Sequence, residues 1–287
     1  MAKPVYGRAL KPGSLSQVQR FAQGWNTPEA RFLIPMMKQD YFFKFYDFDE
    51  DTINSDFTVG NGGGASATSP TASTSLEFGQ LTSVTGTAND ATATTAINYD
   101  GVFFDAARNP GMLVRLKLSA ITAVYLELSW CDAPASITVL NWSDVDGATP
   151  TQASNSVTDI ASIVIDTTQT NKSARLCTVG GTDTTTLGVN MSEATTTAGD
   201  PLTAGVFSTF LLQCGAINTT PAANTSWVYA NIDGKVSNEA RSTVAATGVT
   251  QGLDSGVKLR PQILLQARSA SSVTLTIDYI ALWAERA

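Results

Sequence analysis

Alternation of apolar and polar residues, renewed in segment after segment, is the feature that most narrows what this chain can fold into. MLVRLKL (112–118) sets Met112, Val114, Leu116 and Leu118 on one side and Arg115 and Lys117 on the other. ITAVYLELSWC (121–131) groups Val124, Leu126, Leu128 and Trp130, and KLRPQILLQAR (258–268) groups Leu259, Ile263, Leu265 and Ala267. SVTLTIDYIALW (272–283) does the same with Val273, Leu275, Ile277, Tyr279, Ala281 and Trp283. VFSTFLLQC (206–214) is apolar enough for a central strand, and DIASIVID (159–166) reads as a further one. Side chains of a strand point alternately to its two faces, so this period predicts an all-β antiparallel sandwich or barrel. No long 3.6-residue period competes with it, and no repeat of fixed length is present.

At 287 residues the chain could form one large β domain or two small ones. Hydrophobic residues are 43% and charged residues 15%, so a sizeable core must lie beneath a surface made largely of uncharged polar groups. No apolar run approaches the length of a membrane span, and MAKPVYGRALKPGSL lacks the apolar centre of a signal peptide; no membrane partner is expected. Five N-x-Ser/Thr sequons, at Asn141, Asn171, Asn190, Asn218 and Asn224, then reflect a Thr/Ser-rich chain. Cys131, Cys177 and Cys214 are too widely spaced for a zinc or redox motif, and they read as small apolar side chains in strands of a protein assembled in a reducing cytosol.

Charge divides the chain. Residues 1–44 carry seven basic side chains against Glu29 and Asp40, a net of +5, while the remaining eleven basic and 23 acidic residues give −12. An acidic body repels phosphates, so nucleic acid is not an expected partner. The basic stretch is read as an N-terminal arm, residues 1–44, before a single sandwich domain at 45–287. Pro4, Pro12, Pro28 and Pro35 punctuate it, and SLSQVQRFAQGW predicts one short helix capped by Ser14 or Ser16. Its apolar and aromatic content suits ordering by packing, either on a partner or on the body of the same chain. Tyr6, Arg8, Leu10, Arg20, Phe21, Trp25, Arg31 and Phe32 are the candidate docking residues.

The chain has no histidine, which removes Ser-His-Asp and Cys-His catalysis and any His-ligated metal site. NGGGAS adjoins no βα unit, so it is not a phosphate cradle. Paired carboxylates would be the enzymatic option, and LELSWCD offers Glu127 and Asp132. A separation of five puts them on opposite faces of a regular strand, and Glu127 is read as an exposed residue opposite Leu126 and Leu128. The expectation is therefore no catalytic residue and no enzyme. DFDEDTINSD concentrates Asp47, Asp49, Glu50, Asp51 and Asp56 without the spacing of a calcium loop, so it is read as a solvated turn, with no metal and no cofactor. In WVYANIDGKV, Asp233 followed by glycine predicts a turn rather than a ligand. Asp278 is placed opposite Ile277 and Tyr279.

Three stretches in order, TSWVYANIDGKVSNEARS, GVTQGLDSGVKLRPQILLQARS and SSVTLTIDYIALWAERA, carry a resemblance. Their "IDG", "LRPQI" and "TIDYIALW" follow one another on successive strands, after FDEDTINSDFTVGNGGG, FGQLTSVTGTANDATA and NPGMLVRLKLSAITAVYLELSWCD upstream. Over residues 45–286 this resembles the concanavalin-A-like jelly rolls of structural proteins in tailed bacteriophages. The resemblance implies a jelly-roll β-sandwich and a virion structural protein of the capsid-decoration or head-fibre type. It would be assembled in the host cytoplasm as a homo-oligomer, such as a trimer, and docked by its arm onto the major capsid protein or another virion protein at the capsid surface. The alternative it implies is a lectin-like, carbohydrate-binding or receptor-binding module of a fibre or tail. That module would use the polar loops at 141–155 and 180–200 and exposed aromatics such as Trp142.

Overall fold

The computed structural model describes residues 41–48, 52–73, 79–87, 93–132, 138–146, 150–153, 157–169, 174–180, 187–191, 202–216, 226–234, 239–243, 253–254 and 256–285. In chain order the strands are β1 (Tyr41–Tyr46), β2 (Phe57–Asn61), β3 (Thr68–Ser73), β4 (Gln80–Val84), β5 (Thr94–Tyr99) and β6 (Phe104–Asp105). Then come β7 (Gly111–Leu118), β8 (Val124–Cys131), β9 (Trp142–Asp144), β10 (Thr151–Gln152), β11 (Ile160–Asp166) and β12 (Arg175–Val179). The last six are β13 (Leu187–Asn190), β14 (Ser208–Ala216), β15 (Ser226–Ile232), β16 (Glu239–Thr243), β17 (Lys258–Ala267) and β18 (Thr274–Glu285).

These strands form two antiparallel sheets packed face to face, as a jelly-roll sandwich. The first runs β16-β15-β14-β7-β18-β4-β3, with β1 also paired to β18. The second runs β13-β12-β11-β8-β17-β5-β2, with β6 on β17. A two-stranded hairpin, β9–β10, stands apart from both.

The alternation in the sequence decides which side chains lie between the sheets. Met112, Val114, Leu116 and Leu118 of β7 meet Val124, Leu126, Leu128 and Trp130 of β8 in one buried cluster, joined by Leu259, Ile263, Leu265 and Ala267 of β17. β18 departs from strict period two. Its register against β7 shifts between Ile277 and Tyr279, a bulge that inserts Asp278 as an extra residue. Leu275 and Ile277 therefore point inward and so do Ile280, Leu282 and Ala284, while Tyr279, Ala281 and Trp283 point outward. The expected single face of β18 is corrected to two half-faces. Asp278, at the bulge, pairs with Arg115.

Asp233 and Gly234 both take positive φ, 57° and 66°, as the turn reading requires. The Asp233 carboxylate accepts the backbone N–H of Thr209 at 2.7 Å, which ties the turn to the start of β14. All three cysteines are buried free thiols, and burial raises each thiol above its ordinary range.

Candidate functional site

Each sheet has an outer face, and the two are built differently. On the second sheet, β8 turns Tyr125, Glu127, Ser129 and Cys131 outward, opposite its core residues. Glu127 sits at the centre of this face, beside Val164 of β11 and Leu264 of β17. It is fully buried, 0% exposed, which corrects the expectation of a surface residue. The cause is the excursion after β8, whose hairpin folds back over the face and brings Leu140, Trp142, Val145 and Val157 against Tyr125, Ile160, Val164, Cys177 and Leu264.

A carboxylate without water needs donors, and the excursion supplies them. Asn141 gives its Nδ2–H to Glu127 Oε1 at 2.5 Å and its backbone N–H to Oε2 at 3.3 Å. Tyr125 donates its hydroxyl to Oε2 at 2.6 Å, and Ser162 donates to Oε1 at 3.2 Å. Asn141 also donates to Gln262 Oε1 at 3.0 Å, and Trp142 donates its indole N–H to Ser162 Oγ at 3.0 Å. Burial raises the Glu127 carboxyl above its usual range, and the hydrogen bonds from Tyr125, Asn141 and Ser162 pull only partly the other way. The buried Asn141 is not an accessible sequon, and the buried Trp142 is not the exposed aromatic expected of it. Asp132, just beyond β8, holds the rim of the excursion by accepting from Thr158 N at 2.9 Å and Thr158 Oγ1 at 2.7 Å.

The outer face of the first sheet is aromatic. Register sets its side chains in transverse rows. One row runs Phe43, Trp283, Gly111, Gln213, Tyr229, across β1, β18, β7, β14 and β15. The next places Phe45, Ala281, Leu113, Leu211 and Asn231 in the same strand order. On the other side, Gly215 of β14 stands opposite Trp227 of β15. Two glycines permit this arrangement. A Cβ on Gly111 would lie 2.5 Å from Nε1 of Trp283, and one on Gly215 would lie 2.6 Å from Nε1 of Trp227. Each indole thus rests over backbone where a side chain would otherwise stand. Asn109, at left-handed φ 49°, reaches the same corner and donates to Glu285 Oε1 at 2.9 Å.

Exposure differs along this face. Leu113, Ala281 and Trp283 are at most 1% exposed, whereas Trp227, Tyr229, Gln213, Asn109 and Glu285 are each partly exposed. The open part is a strip of two aromatic rings on alternate residues of β15, flanked by two amides and a carboxylate.

The remaining sequence candidates fall elsewhere. Tyr6, Arg8, Leu10, Arg20, Phe21, Trp25, Arg31 and Phe32, and the helix expected over SLSQVQRFAQGW, lie outside the described residues, as does most of the loop at 180–200. Of the acidic run, Asp56 accepts from the Tyr46 hydroxyl at 2.6 Å and from Lys44 at 3.2 Å. Those partners hold its carboxyl below the usual value, with the Tyr46 bond contributing most. Asp49, Glu50 and Asp51 lie outside the described residues. Among the described residues no group of three potential metal ligands comes together. Sequence reasoning missed the strip of Trp227, Tyr229 and Gln213. The one signal for it was WVY, whose two aromatics at i and i+2 share a face of any strand.

No family model matches the chain, and no curated protein does. Among solved structures it is similar to SCLam, a non-specific endo-β-1,3(4)-glucanase from family GH16, with a TM-score of 0.51 and 14% identity over 87% of this chain and 93% of that one. It is also similar to the carbohydrate recognition domain of Emp47p, with a TM-score of 0.48 and 10% identity over 87% of this chain and 97% of that one. A third is the β-glucanase of Bacillus licheniformis, with a TM-score of 0.46 and 9% identity over 85% of this chain and 98% of that one. The expectation that the chain is not an enzyme is corrected by the first of these. SCLam is a glucanase on this sandwich, so the fold is compatible with hydrolysis. The virion setting implied by the sequence resemblance gains no support from these structures. What the likeness to SCLam shows is the fold alone, an all-β jelly-roll sandwich.

Proposed function

We propose that the protein binds carbohydrate along the open strip on the outer face of its first sheet. The observation that carries this reading is the pair Trp227 and Tyr229, partly exposed on one strand, with Trp227 resting over Gly215 and Gln213 beside Tyr229 in its row. Sugar rings present apolar C–H faces and equatorial hydroxyls. An aromatic surface meets the first, and planar amides and carboxylates meet the second. Asn109, Gln213 and Glu285 are the polar groups in reach of such a chain, and they need no metal to act. This takes the lectin-like of the two functions that the resemblance implied. The capsid-docking alternative rests on residues outside those described. The likeness of fold to an endo-β-1,3(4)-glucanase agrees with the reading without supplying it.

The test is retention of the full chain on a panel of immobilised polysaccharides that includes β-1,3(4)-glucan, repeated with Trp227→Ala and Tyr229→Ala. Retention of the wild type, weakened at least tenfold by Trp227→Ala, is the expected result. Retention equal in all three proteins would place the site elsewhere, and no retention on any glycan would sink the reading. Assaying released reducing ends in the same panel reports whether any glycan held is also cleaved.

A further inference from the structure

Towards its C-terminal end, β7 turns two cations outward. Arg115 and Lys117, two residues apart on one strand, share a face beyond Leu113, and both are partly exposed. They also share one aromatic ring. The Arg115 guanidinium lies 4.7 Å and the Lys117 ammonium 4.6 Å from the centroid of Phe207. The turn before β14 brings that ring into place. Gly205, at φ 74°, donates its backbone N–H to Leu118 O at 2.8 Å, and Val206 donates to Thr203 O at 3.1 Å, so Phe207 leaves the turn alongside β7. Val206, beside it, is 54% exposed.

Two like charges on one ring repel, and their surroundings compensate only one of them. Among the described residues, Asp278 pairs with Nη1 of Arg115, and the Nε–Nη2 edge has no partner. Among the same residues Lys117 has no carboxylate partner, whereas Lys44, Lys258, Arg260 and Arg268 each have one. The Asp233 carboxylate, beside Thr209, accepts from the Thr209 backbone N–H.

We propose that Arg115, Lys117 and Phe207 form a binding site for an anionic group, carboxylate or sulfate, of an acidic polysaccharide. The open guanidinium edge and the ammonium are charge-assisted donors. Phe207 and Val206 offer apolar contact to the C–H face of a sugar ring. Thr209, opposite Arg115, and Thr82, in line with Lys117 through Thr276, add hydroxyls. A polymer one residue wide fits better here than an acidic protein. The chain after residue 44 carries a net of −12, which opposes a broad acidic surface. A narrow chain meets the two cations while charges beyond about 8 Å are screened at physiological salt. Phe207 is six residues from Gln213, about 20 Å along an extended strand, so this site does not rest on the strip assigned to carbohydrate above.

Retention of the full chain on immobilised polygalacturonate and on dextran sulfate tests it, with an uncharged β-1,3(4)-glucan alongside. The wild type should be held by at least one acidic polymer at low salt and released as salt rises to about 0.5 M. Lys117→Gln, which breaks no ion pair, should weaken retention roughly fivefold or more, and Lys117→Arg should restore it. Retention on polygalacturonate alone assigns a carboxylate, on dextran sulfate alone a sulfate, and on both the charge whatever group bears it; each supports the site. Trp227→Ala should leave acidic retention within about twofold, so that this site and the strip fail separately. Retention of the wild type by neither polymer, or equal retention by Lys117→Gln, would overturn the proposal. So would a loss in Trp227→Ala with none in Lys117→Gln, which would put the acidic polymer on the strip.

Discussion

The outer faces of the two sheets solve one problem in opposite ways. Both are interior to the molecule at their centres, and both lie on the wrong side of their strands to join the main core. The second sheet's face is polar at its centre, with Glu127 bound by Asn141, Tyr125 and Ser162 beneath the β9–β10 excursion. The first sheet's face is apolar at its centre, with Trp283 over Gly111 beside Leu113 and Ala281. A polar buried centre demands a cover of defined geometry, because each donor and acceptor must find its partner. An apolar centre accepts any cover of suitable shape. The difference teaches where function can sit: the polar face is sealed, and the apolar face ends in an open strip.

The largest effect that would break this comparison is on the apolar side. Trp283→Ala removes an almost fully buried indole and should cost about 3–5 kcal/mol in urea unfolding. Trp227→Ala, on the same face but partly exposed, should cost less, about 1–2 kcal/mol, because part of its ring stays in water. Equal losses would mean that the strip is as buried as the patch and is not available to a ligand.

On the polar side, Glu127→Ala leaves the Asn141, Tyr125 and Ser162 donors facing nothing, and roughly 3 kcal/mol should be lost. Acid sharpens the point. Burial raises the Glu127 carboxyl in the folded protein above its unfolded value of about 4.3, so the unfolded chain gives up this proton first as pH rises. The contribution is therefore complete below the unfolded value and is lost as pH rises through the folded one. Compared with Glu127→Gln, which does not titrate, the wild type should gain stability as pH falls through that interval. A stability difference between the two that is flat from pH 4 to 8 would show that Glu127 is not desolvated.

How far all this could be read from the sequence depends on what each feature changes locally. The inward residues of β7, β8 and β17 were legible because a strand's period is local and the core selects one parity. The switch in β18 was not, because a bulge at Asp278 adds one residue without altering composition or hydropathy. Asp233 was legible as a turn, since positive φ at two successive residues favours Asp-Gly. The burial of Glu127 was not legible: Asn141, Trp142 and Val145, which cover it, stand in a stretch, NWSDVDGATP, that reads as a polar surface loop. Nor could the rows Trp283–Gly111–Gln213 and Trp227–Gly215 be read, because they join strands whose neighbours are fixed by topology alone.

The smallest expected effect separates the two carboxylates that stand five residues apart. Asp132, like Glu127, accepts hydrogen bonds from the excursion, from Thr158 N and Thr158 Oγ1. Unlike Glu127 it does so at the exposed rim, where water replaces a lost partner at little cost. Asp132→Ala should therefore lower stability by no more than about 1 kcal/mol and leave the Glu127 pH dependence in place. A loss as large as that of Glu127→Ala would mean that the excursion is held by its rim and that the buried cluster merely follows. A small loss with an unchanged pH profile would place the hold at the centre, where Asn141 reaches down to the sheet and Glu127 cannot exchange it for water.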